Sequence, residues 1–312
     1  MSELTSYLGW KIDFTEPAGE PSFLEPDSIR WRIMKNPITF GIGGICAVLL
    51  EFADPRIRSG VWDHSTYKKD PVGRSMRTAM AASISSFGPA SVAKSVISRV
   101  NKMHANVQGE TPDGVAYKAL DVELLDWVLA TAEYGFHAAY NSFVSPLSQE
   151  ESDQYYREGH EVGALYGVKQ RAESEAGFYK MMEALEPGFE PHAIVKEFLD
   201  IVIYSEGRKA PTFMRKWIAC AAIDILPTSV RQVLELGPEY DLSRTGRLFV
   251  KLIAKLGDKI PNKNSPAAQA SIRLGLPANY PWLSQKKQKA LVDQLRANGV
   301  ATSNAALLDA AS

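Results

Sequence analysis

The chain is predicted to be all-α, a single multi-helix domain, on three observations. Sustained apolar/polar alternation bounded by hairpin turns is absent. Apolar residues recur at helical spacing, and helix start signals repeat along the chain. No Gly/Ser linker and no internal repeat separates two cores in its 312 residues.

Residues 1–26 are rich in Pro, Gly and Glu and are expected to form an irregular arm. The helical domain is expected over 27–300, with a first helix from Asp27 or Ser28. GGICAVLLEFAD is apolar on nearly all sides, so a buried helix is expected there, ended by Pro55. Helices over 71–86 and 89–107 follow, broken at FGP, and Asp70–Pro71 supply an N-cap and a first-turn proline. QGETPDGVAYKAL is expected to be a loop, after which Asp121 caps a long helix. Ser148 and Glu151 form a capping box for a helix through Tyr166. Further helices are expected over about 191–207, 211–226, 228–236 and 242–256, with another from Ser265–Pro266. The tail, 301–312, is small and polar and is expected to fray.

A hydrophobic content of 45% against 23% charged residues gives a sizeable core, and a net charge of −1 offers no footprint for nucleic acid. Cys46 and Cys220 both sit in apolar runs and read as reduced core thiols. No secretory signal is visible, and the longest apolar run is short and glycine-rich for a membrane span, so a cytoplasmic protein is expected.

The FGIGG stretch lacks the strand, acidic residue and Lys-Ser/Thr of a nucleotide loop, so its glycines are read as allowing close approach to a helix or a flat ligand. Among the five histidines no pair makes a compact metal signature. His137, four residues after Glu133, reads as a solvated helix contact, and His160 and His192 read as structural. His104 shares a helical face with Val96, Val100 and Val107. It is either a core histidine satisfied by a carbonyl or a neutral imidazole of the kind a haem iron takes as proximal ligand. Arg74, Arg77 and Thr78 share a face one helix earlier, where two haem propionates would supply an anion for the guanidinium groups. A solvated face with buried alkyl stems is the other reading. His64, in VWDHSTY, is a distal hydrogen bonder and acid/base group or a loop residue. The aromatic and Met residues of FYKMMEAL and TFMRKW read as core, with a substrate channel as the alternative.

The run EFADPRIRSGVWDHSTYKKDPVGRSMRT, followed by RVNKMHANVQG, YKALDVELLDWVLAT and AAYNSFVSPLS, resembles the MpaB-type oxygenase family, which includes the catalytic domain of latex-clearing proteins, the rubber oxygenases. The likeness is densest over 50–147 and fades by about 280. It implies a globin-like helical core around non-covalent haem b, with His104 as proximal iron ligand and Arg74 and Thr78 as the R-x-x-x-T element. Arg77 stands where rubber oxygenases carry a distal lysine, and Arg58 where they carry a catalytic glutamate, leaving His64 as the nearest polar replacement. A haem-dependent oxygenase is therefore expected, using O2 as co-substrate on a small apolar or terpenoid-like olefin, with cleavage to two carbonyl fragments, hydroxylation or peroxidation as outcomes. The alternative is a non-catalytic haem-binding protein, a gas sensor or haem carrier. Haem apart, a large apolar cavity flanked by His104 is expected.

Overall fold

The structure, a computed structural model, describes residues 5–7, 10–206 and 210–304. Helices α1 (Ile29–Met34), α2 (Pro37–Ala53), α3 (Pro55–His64), α4 (Pro71–Phe87) and α5 (Ala90–His104) come first. The strands β3 (Gln108–Glu110) and β4 (Ala116–Lys118) then lead into α6 (Val122–Phe143), α7 (Gln149–Arg157) and α8 (His160–Tyr166). The rest is α9 (Glu175–Leu185), α10 (Ala193–Tyr204), α11 (Thr212–Asp224), α12 (Thr228–Val233), α13 (Arg244–Lys259), α14 (Pro266–Arg273) and α15 (Gln285–Ala297). Proline opens α2, α3, α4 and α14, where its missing N–H costs nothing.

The centre is the crossing of α2 and α6 at paired glycines. A Cβ on Gly43 would stand 2.8 Å from the carbonyl carbon and oxygen of Gly135. Gly43→Ala is therefore expected to force the helices apart and cost about 1–3 kcal/mol, whereas Gly44→Ala, with nothing within 4 Å of its added Cβ, should be neutral or stabilising by about 0.5–1 kcal/mol. Urea denaturation of the two variants checks the contrast.

Two apolar clusters make up the core, and the crossing lies within the first. The first gathers α2, α6, α9 and α10, with Trp127, Tyr134 and Phe178 in ring contact. The second gathers the C-terminal part of α4, α5, α14 and α15 with Phe14, Phe23 and Leu24 of the arm. Arg273 joins these pieces, donating to the carbonyls of Phe14, Glu20 and Phe87 and to Ser22 Oγ.

Several segments differ from the sequence-based expectation. The arm carries a hairpin, β1 (Thr5–Tyr7) with β2 (Trp10–Ile12), and its later residues are buried because α14 and α15 cover them. At the other end, Thr302, Ser303 and Asn304 are buried, Asn304 donating to the Ser22 carbonyl at 2.8 Å; the remainder of the tail lies outside the described residues. The 108–120 segment is a hairpin, β3 pairing antiparallel with β4. Asp121 stands at the N-cap of α6, yet its carboxylate accepts from Lys118 N at 3.0 Å and so closes the hairpin exit. The Ser148–Glu151 capping box forms, but the helix after it breaks at Gly159, whose φ of +77° suits glycine. Helices α9 and α15 are additional to the helices expected from the sequence. Phe178 and Met182, from the FYKMMEAL stretch, are core.

Among the described residues no single helix is long and apolar enough to cross a membrane. The nearest candidate, α2 with α3, is bent by 111°, and α2 is largely core.

Candidate active site

Helix α2 is buried on all faces but one. Between residues 41 and 51 only Gly41, Gly44, Ile45, Val48 and Glu51 are half-buried, and their spacing makes one stripe. Gly41 and Gly44 have nothing within 4 Å of where a Cβ would sit. Helix α4 is open in a corresponding way: residues 71–83 are half-buried or exposed, and only Ile84, Ser86 and Phe87, near its end, are buried. The first cluster holds α2 and the second anchors the C-terminal part of α4 and most of α5, so the candidate residues Arg74 and His104 lie beyond the second core at the ends of their helices.

Glu51 and Arg74 are electrostatic neighbours. Burial pushes the Glu51 carboxyl up to about 7, against the opposing pull of Arg74 and of the Thr131 hydroxyl, which donates to it at 3.4 Å. Arg74 also donates to Thr78 Oγ1, one turn along α4. On the other side it is a neighbour of His104, whose pKa falls first through burial and then through the Arg74 charge. The imidazole is therefore neutral at pH 7, and its buried Nδ1 has no hydrogen-bond partner. A neutral, unsatisfied ring nitrogen is the chemistry of a metal ligand, and a guanidinium beside it suits an anionic group on the same cofactor. An imidazole donor with a free nitrogen and a cation for a carboxylate are the two groups that a haem would require of the protein.

The other sequence candidates lie elsewhere. Arg77 does not join Arg74: it donates to Asp70 at 3.1 Å and Thr66 at 2.5 Å, so the N-cap carboxylate of its own helix is its anion. The shared guanidinium face fails because Asp70, two turns back, captures the second arginine. Thr78 is exposed and bound to Arg74. His64 is exposed at the end of α3, its ring edge-on to Tyr117 of the hairpin at 6.3 Å. Arg58 is 1% exposed, donates to the Phe52 carbonyl at 3.1 Å and pairs with Glu190. It ties α3 to the segment before α10 and is structural.

His137 and Glu133 are not a solvated pair; both are buried under α1 and α7. Glu133 receives Arg30 and Arg171, while His137 Nε2 meets Ser152 Oγ at 2.9 Å. His192 accepts from Ile194 N at the start of α10. The cavity expectation also needs correcting. The two best-formed hollows are open to solvent: one between α5 and α8 by Ile97, Asn101, Lys102 and Leu165, the other by Asp63, His64 and Lys69. Neither is an apolar chamber at His104.

The residue that sequence reading missed is Glu51. The signal was present: a single carboxylate inside the apolar run GGICAVLLEFAD. Spacing along the chain does not reveal it, because the fold brings it to Arg74 from α2, two helices earlier.

Residues 31–255 match the model of the family described as "ER-bound oxygenase mpaB/B'/Rubber oxygenase, catalytic domain". Glu51, Arg74, Thr78 and His104 all fall inside the matched stretch, and the arm, α14 and α15 fall outside it. No curated protein matches the chain, and no solved structure does.

Proposed function

Because the chain belongs to the mpaB/rubber oxygenase catalytic-domain family, an oxygenase-type family, we propose that it is a haem b-dependent oxygenase that uses O2 to oxidise a small, apolar, olefinic substrate. The observation that carries this reading is the juxtaposition of three groups on three helices: a neutral His104, the Arg74 cation, and a Glu51 carboxyl that titrates near neutrality.

His104 would hold the iron and Arg74 a propionate, with Thr78 fixing the Arg74 side chain through its hydroxyl. Haem, when bound, supplies the dioxygen chemistry. The Ile45 and Val48 side chains present an apolar wall against which an olefin packs, and the two glycines beside them leave room for a flat group. Glu51, balanced near pH 7, takes up or returns a proton at its carboxylate as the substrate is oxidised. A gas sensor or haem carrier, the other reading of the sequence, leaves that proton exchanger without a task.

Oxygen uptake on addition of a short isoprenoid tests the assignment; no uptake by the haem-loaded protein overturns it. Glu51→Gln should lower the rate by about 10²–10⁴-fold and remove the limb of the pH profile centred near 7. A second readout needs no turnover. Because the folded pKa of Glu51 lies above the ordinary 4.5, the stability it contributes is present at low pH and lost as pH rises through about 7. Glu51→Gln should therefore stabilise the haem-free protein by about 1–3 kcal/mol above roughly pH 8 and by almost nothing near pH 4.

A further inference from the structure

Helix α13 is built with its small residues inward and its large aliphatic residues outward. Gly246, Val250 and Ala254 are buried, and the Ala254 carbonyl accepts from Asn36 Nδ2 at 2.8 Å, sealing that face against the start of α2. Leu248, Leu252, Leu256 and Ile260 are 70%, 56%, 45% and 60% exposed. At four-residue spacing they form one ridge along the helix. The ridge is continued on α11 by Phe213, 53% exposed, whose ring meets Phe249 at 6.4 Å and Trp217 at 5.3 Å. An apolar patch of this extent on a monomer marks a contact surface.

The charge beside the ridge is mostly of one sign. From Arg244 to Lys263 the chain has six basic residues, Arg244, Arg247, Lys251, Lys255, Lys259 and Lys263, against one acid, Asp258, and of the six Arg247 is taken up by Asp224 at the end of α11. Asp258 is half-buried and engaged by Lys35 at 3.5 Å. Lys255 and Lys259 are exposed on the flank next to the leucines. An apolar ridge with a cationic flank is the composition of a helix lying in a membrane interface: aliphatic groups enter the acyl boundary while lysines meet lipid phosphates.

We propose that α13, with Phe213 of α11, docks the protein on an anionic phospholipid surface, lying in the interface without crossing it. Two other occupants fit less well. A second copy of the chain would bring two basic flanks of the same sign together. A protein groove that engulfs an amphipathic helix needs that helix accessible around most of its circumference, and α13 is sealed along one side against the protein. Docking there would also bring the enzyme to where apolar substrates partition, but it does not depend on the haem assignment.

The test is vesicle flotation of the full chain with phosphatidylcholine alone and with an equimolar mixture of phosphatidylcholine and phosphatidylglycerol. The wild type should float with the mixed vesicles, poorly with the neutral ones, and less at high salt. Leu252→Glu, and separately the triple variant Lys251→Glu, Lys255→Glu, Lys259→Glu, should each weaken partition by about tenfold or more. Leu252 is exposed, so unchanged thermal melts should accompany the loss. A wild type that stays with the pellet, a triple variant that floats as well as wild type, or a dimer that Leu252→Glu dissolves without vesicle binding would each overturn the proposal.

Discussion

Replacing His104 with alanine is expected to remove the Soret band of protein purified from haem-supplemented cells. Its imidazole is neutral at pH 7, has a buried nitrogen without a partner and stands beside a cation, so no other described histidine offers the same combination. His137 has a buried, unpartnered Nδ1 as well, and burial pushes its pKa down to about 4, but its Nε2 is committed to Ser152 inside the first core. Arg74→Ala should lower haem content without abolishing it, because the cation contributes to anchoring while the ligand remains. The pH dependence has a definite sign. Protonation competes with iron for the ring, and the His104 pKa lies below the ordinary 6.5. Haem loading should thus be flat as pH falls to about 6.5 and drop only below that. An unchanged spectrum in His104→Ala would reject the ligand assignment; a haem-free wild type grown with excess haem would reject the cofactor.

The largest stability effect is expected at Glu133, on the opposite face of α6 from Thr131. Glu133 is 2% exposed and receives both Arg30 and Arg171, whose side chains are 13% and 9% exposed. Arg171 also donates to the carbonyls of Tyr156 and Glu158 at 2.8 Å, and Arg30 to that of Tyr155 at 3.0 Å. One carboxylate thus fixes α1, α6 and the segment before α9. Glu133→Ala leaves two largely buried guanidinium groups without their anion and should cost about 3–5 kcal/mol. Glu133→Gln keeps the shape and an acceptor and should cost less. Urea midpoints measure both; a loss under about 1 kcal/mol for the alanine variant would show that the carbonyls alone suffice.

The helices around the candidate site were legible because their signals are local. Asp70–Pro71, Ser148–Glu151 and Ser265–Pro266 each mark a helix start by bonds within a single turn, and each formed. His104 was legible as a residue out of keeping with its apolar face. Glu51 was not, because its meaning depends on Arg74, 23 residues later on another helix. Arg77 misled for the converse reason: its spacing from Arg74 suggested a shared anion, while Asp70 was the nearer one. Glu133 and His137 looked like a solvent-facing pair since four-residue spacing carries no information about which face is covered. The outward ridge of α13 was invisible for the same reason, as amphipathic patterning alone gives no sign of which side meets the core.

By itself, then, the sequence determined the helical class, most helix starts, and the identities of the arginine, threonine and histidine in the candidate site, all of which rest on period, capping and residue type over short stretches. Tertiary structure alone decided which arginine faces the histidine, that a glutamate from α2 completes the group, and which sides of α6 and α13 meet solvent. Those outcomes depend on how α2 and α6 cross at their glycines and how the other helices pack around them, and packing is a relation among distant segments that no local pattern encodes.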